Sequence, residues 1–162
     1  MSRTASGLKN VVAAEADSIL PNNPVIIIGG ADVITQYNKM LQRKISLYNE
    51  RLEKLSSPYF LRTTHTSNGY QYPGRYFYKW VWNQEKERME RRYVGLVIPE
   101  DDEVPEGGLP KAPINILEGF EYKIFYHDIV CSQEMYEQFF HFFEPHGLVV
   151  LKIENRGEKT HG

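Results

Sequence analysis

Residues able to stack on a flat ligand or pair with an anionic one concentrate between Pro58 and Ile98. Ten of the 21 aromatic residues lie there: Tyr59, Phe60, Tyr70, Tyr72, Tyr76, Phe77, Tyr78, Trp80, Trp82 and Tyr93. So do seven of the 19 Lys and Arg residues, against three acids, in a chain of formal net charge −2. Aromatic rings offer π-faces to bases, and guanidinium and ammonium groups neutralise phosphates. The chemistry this combination suggests is recognition of nucleic acid. The residues placed in that role are Arg62, Arg75, Lys79, Arg88, Arg91 and Arg92 for phosphates, with Tyr76, Tyr78, Trp80 and Trp82 for stacking.

Residues 74–83 alternate. Tyr76, Tyr78, Trp80 and Trp82 share one face of a strand, and Arg75, Phe77, Lys79 and Val81 share the other. Two readings follow. The four aromatics form a stacking platform, or they are the core beneath a helix, which is the usual fate of an aromatic stripe. In the second case Arg75, Lys79 and Arg91 remain as a basic outer face.

Other constellations are weaker. Glu121-Tyr122-Lys123, with Asp101 and Asp102 upstream, has the residue types of a Mg²⁺-dependent nuclease, which needs converging carboxylates and a Lys near the attacking water. That is the alternative enzymatic reading, and its upstream acids sit in a Pro/Gly-rich stretch. His127, Cys131, His141 and His146 have spacings (x3 and x4) that zinc ligands can take, but no CxxC or HExxH motif accompanies them. Gly29-Gly30 ends an apolar run before a helix but lacks the rest of a phosphate-binding loop. No catalytic residue, metal or cofactor is assigned, and a non-enzymatic role is expected. Cys131 is the single cysteine, which rules out an intrachain disulfide and fits a reducing compartment.

These residues need elements to hold them. A short helix is expected at 7–19, ending at Pro21, then a buried strand at Val25–Ile28. Asp32 is the expected N-cap of a long helix at 33–55, where Leu41, Ile45, Tyr48, Leu52 and Leu55 are spaced 4, 3, 4, 3. That seam suggests a homodimer, or a protein–protein adaptor, built through helix 33–55. Strands are expected at 59–65, 74–83 and 89–98 as an antiparallel meander. Residues 99–113 hold five acids and six Pro and Gly residues, so they read as an acidic linker without regular structure. After it, a strand at 120–127, a helix at 132–143 and a strand at 148–153 predict a βαβ unit with parallel strands.

The expected fold is therefore α+β. N-terminal helices and an antiparallel sheet of about three strands span 7–98, the linker spans 99–113, and the βαβ unit spans 114–154. The chain has no apolar run near the 20 or so residues that cross a bilayer, and no leader-like apolar segment. No membrane partner and a cytoplasmic location are expected.

Overall fold

The computed structural model describes residues 20–99 and 108–153. The helix expected at 7–19, the acids from Glu100 to Glu106 and the polar tail at 155–162 lie outside the described residues. The elements are β1 (Pro24–Ile27), α1 (Gly30–Lys54), β2 (Tyr59–Ser67), β3 (Tyr70–Asn83), β4 (Arg88–Gly95), β5 (Tyr122–Phe125), β6 (Asp128–Ser132), α2 (Gln133–Gln138), α3 (Phe140–Phe143) and β7 (Val150–Lys152). The protein is α+β, with one long helix and a sheet of seven strands joined in the order β2-β3-β5-β6-β1-β7, with β4 on β3. The registered pairs are antiparallel. The described residues fall into two compact units. One combines the chain up to Gln36 with Ser67–Gln71 and the chain from Phe120; the other takes Tyr37–Thr66 and Tyr72–Gly119.

In the first unit, Val25, Ile26 and Ile27 are fully buried, as a β-branched run bounded by Pro24 and Gly29 should be. β1 lies between β6 and β7 and is antiparallel to both. This corrects the expected βαβ unit. The strands flanking the C-terminal helices do run the same way, but they do not pair, because the apolar β1 fills the place between them. The strand expected at 120–127 is also different. The chain reverses at Tyr126-His127, and β5 and β6 form a hairpin in the register Phe125↔Asp128. Tyr126 takes the left-handed conformation (φ 56°).

The expected helix at 132–143 is broken. Ser132 caps α2, its hydroxyl accepting the Met135 N–H at 3.0 Å. The helix interrupts at Phe139, resumes as α3, tightens to a 3₁₀ turn at Glu144–His146, and stops at Gly147 (φ 61°). Successive aromatic residues lose rotamer freedom against the preceding turn and support a helix poorly. Phe120 is the centre of this core, with Tyr122, Phe139 and Phe143 at ring-centroid distances of 5.1, 5.0 and 5.4 Å. Phe143 is buried, Phe139 half-buried and Phe140 exposed.

Cys131 is buried within β6, and burial pushes its thiol up to about 12. The thiolate is the nucleophile, so the folded protein is expected to resist thiol reagents near pH 8. Alkylation that appears only in denaturant would agree; stoichiometric labelling of the native chain would contradict it.

α1 begins at Gly30, earlier than the expected 33. Asp32 is therefore in the first helical turn, not at the N-cap. Its carboxylate lies 3.0 Å from His127 Nδ1. Just before the helix, the Asp128 Oδ1 accepts the Gly29 N–H at 2.7 Å. A Cβ on Gly30 would sit 2.8 Å from Ile129 Cγ1, so the close approach of helix to strand requires glycine.

In the second unit the seam of α1 is used inside the chain. Leu41, Ile45, Tyr48 and Leu52 are buried with Leu61 of β2 and Phe77 of β3. Leu109 and Ala112, from the end of the acidic stretch, pack against this cluster, and Tyr48 donates its hydroxyl to the Pro110 carbonyl at 2.9 Å. The described part of 99–113 forms no helix or strand.

Candidate nucleic-acid interface

Three strands, β2-β3-β4, carry the aromatic and basic residues, and α1 fixes which face they show. Because Leu61 and Phe77 enter the core under α1, their alternating neighbours must point the other way. β2 is an edge strand, and α1 also secures its edge. The Asn49 side chain donates to the Leu61 carbonyl at 3.0 Å and accepts the Leu61 N–H at 2.7 Å. One amide thus satisfies both backbone groups that an edge leaves open. Asn49→Leu should leave both unpaired and lower stability by about 1–3 kcal/mol, read by chemical denaturation. An unchanged midpoint would show that water replaces the clamp at no cost.

The register of β3 and β4 places Tyr78 opposite Tyr93, Trp80 opposite Arg91 and Trp82 opposite Met89. Opposed residues share a face. The outer face therefore holds Tyr76, Tyr78, Trp80 and Trp82 of β3, Met89, Arg91 and Tyr93 of β4, and Phe60 and Arg62 of β2. It is open: Trp80 is 47% exposed, Trp82 57%, Tyr93 51% and Met89 52%. Of the two readings of the aromatic stripe, this excludes the one in which it is the core under the long helix. The inward face of β3 needs only Phe77, because α1 brings its own apolar seam and Tyr48 to the contact.

The rings on this side touch in a continuous run. Phe60 stacks with Trp80 at 5.0 Å and with Tyr78 at 5.7 Å. Tyr78 meets Tyr93 edge-on at 5.5 Å, and Tyr93 meets Tyr76 at 6.4 Å. His65 extends the run to Tyr76 and Tyr72, at 6.0 and 6.2 Å. Two guanidinium groups converge on one ring. Arg62, from β2, lies 5.8 Å from the Tyr78 centroid, and Arg91, from β4, lies 6.0 Å from it. Cation–π contact of this kind orients a side chain while leaving its donors available. The strand residues of this face include no acid.

The other expected phosphate ligands fall on the opposite side of the sheet. Arg75 pairs with Glu118 at 3.3 Å. Lys79 lies over the Tyr59 ring at 5.6 Å, and its cross-strand neighbour is Arg92. Arg88 pairs with Glu90 at 3.2 Å. The Asn83 amide, chiefly, with Arg88 and Lys86, holds the Glu90 carboxyl below the usual carboxylate range. Arg91 was expected beside Arg75 and Lys79; its pairing with Trp80 puts it among the aromatics instead. Sequence reasoning missed Phe60, Tyr93 and Met89 as members of the face. The β3–β4 register identifies Tyr93 and Met89, and stacking on Trp80 and Tyr78 identifies Phe60.

Among the described residues the remaining constellations do not converge. Lys123 lies over the Tyr70 ring at 5.5 Å, Glu121 is exposed, and Asp101 and Asp102 lie outside the described residues. Among the described residues, no group of three or more His, Cys, Asp and Glu side chains is placed to hold a metal ion. His127 faces Asp32, and His141 lies 3.6 Å from Glu144. The Gly29 N–H is already committed to Asp128. Among the described residues no helix is long and apolar enough to cross a membrane.

Comparison with known proteins yields no match: no family model, no curated protein and no solved structure is similar enough to this chain to place it in a family.

Proposed function

We propose that the chain is a non-enzymatic nucleic-acid-binding protein and that the outer face of β2-β3-β4 is its binding surface. The observation that carries this reading is the exposure of Trp80 and Trp82 beside Arg91, with Arg62 on the same face. Burying large aromatic side chains is strongly favourable, so two indoles left open on a rigid sheet are unpaid hydrophobic area. Guanidinium groups beside flat rings suit a ligand that alternates flat bases with phosphates. Arg75 and Arg88 have carboxylate partners, so they contribute less.

The test is a salt titration of affinity. Each neutralised phosphate gives a log–log slope of about −0.7 to −0.9, so contacts from Arg62 and Arg91 alone predict roughly −1.4 to −1.8. Arg75→Glu and Arg88→Glu should leave that slope unchanged. Absence of binding to DNA or RNA at about 50 mM salt would reject the reading.

A protein-binding role for α1 is the second reading. Met40 and Leu47 stay exposed on the helix, and Lys39, Gln42, Arg43, Ser46 and Leu47 line a shallow depression of about 570 Å³. Sedimentation of the purified chain tests it, with a concentration-dependent dimer as the supporting result.

A further inference from the structure

We infer that this face selects single-stranded over duplex nucleic acid and seats unpaired bases on Trp80 and Trp82. The inference rests on the binding reading above and deepens it. A duplex keeps its base faces inside its own stack and shows a protein only groove edges and phosphates. An indole exposed on a sheet face has nothing to stack against there. A single strand can turn its bases outward onto aromatic side chains.

Three features of the face fit that ligand. First, the cations are few. Arg62 and Arg91 both lie over Tyr78, at the middle of the face, while Arg75 and Arg88 are engaged with carboxylates on the other side. Duplex binders that rely on phosphates need many such contacts. Second, the indoles have the spacing of separated bases. Trp80 and Trp82 are two residues apart on β3, about 7 Å along a strand. That is twice the ~3.4 Å per nucleotide of a stacked strand. Third, a depression of about 450 Å³ adjoins Trp80, and Met89 and Arg91 border it on this face. A base on the indole would meet the Arg91 guanidinium at its edge.

Trp80 and Trp82 are the only tryptophans in the chain, so its intrinsic emission reports the site directly. The intact protein is titrated with a mixed-sequence single strand of about a dozen nucleotides, as DNA and as RNA, and with the matching blunt duplex. Saturable quenching by either single strand, at least about tenfold tighter than by duplex, is the expected result. Trp80→Ala and Trp82→Ala should each weaken binding of a labelled single strand by roughly 5- to 150-fold. Circular dichroism checks that each variant keeps its fold. Duplex binding as tight as single-strand binding would overturn this inference and leave the binding surface standing. Full affinity in both variants would overturn the seating on the indoles. No binding to any of the three polynucleotides would overturn both the inference and the reading beneath it.

Discussion

Replacing Arg62 and Arg91 together by Glu should weaken nucleic-acid binding at least ~100-fold, or about 3 kcal/mol. Each substitution removes a guanidinium and puts a carboxylate where a phosphate would pass. Like-charge contact costs several kcal/mol when it is close. The two residues act at one place, because both lie over the Tyr78 ring, so their effects should couple. The fold should survive, since both side chains are exposed. The matched control is the double reversal of Arg75 and Arg88, which also changes four units of charge but on the other side of the sheet. If the control weakens binding as much as the test variant, net charge drives association and the face has no special part in it.

Phe120→Ala should cost roughly 3–5 kcal/mol. The ring is fully buried and is shared by Tyr122, Phe139 and Phe143, so its removal leaves a cavity that three rigid neighbours cannot fill. For a domain with a total stability of about 5–15 kcal/mol, that is a large fraction. The melting temperature should fall by roughly 10 °C. Phe140→Ala is the comparison. Its ring is 37% exposed and its contacts are with Tyr136 and His141, so a loss below about 1 kcal/mol is expected. Equal losses in the two variants would mean that the C-terminal helices pack differently.

The elements with strong local signatures were legible in the sequence. The Val25–Ile28 run, the 4-3-4 seam of α1 and the Asn68-Gly69 hairpin each carry a pattern or turn chemistry that has few other solutions. The β5–β6 hairpin was not legible, because Tyr126-His127 contains none of the residues that usually mark a reversal. The insertion of β1 between β6 and β7 is a pairing over about 100 residues of sequence, which no local pattern encodes. The candidate site was half legible. Composition and alternation singled out its strands and placed Tyr76, Tyr78, Trp80 and Trp82 on one face, as the register does. They did not decide which side of the sheet the helix would cover. That choice was made by Leu61, Phe77 and the Asn49 clamp, and it depends on the register of three strands at once. The same register moved Arg91 to the aromatic face.

The claim that the outer face of β2-β3-β4 is the binding surface can be read from the indole N–H resonances of the protein. With two tryptophans in the chain, there are two such signals. Addition of a saturating single-stranded oligonucleotide should shift both, together with the side-chain signals of Arg62 and Arg91, while those of Arg75 and Arg88 stay in place. Binding that leaves both indole signals unmoved would contradict the account.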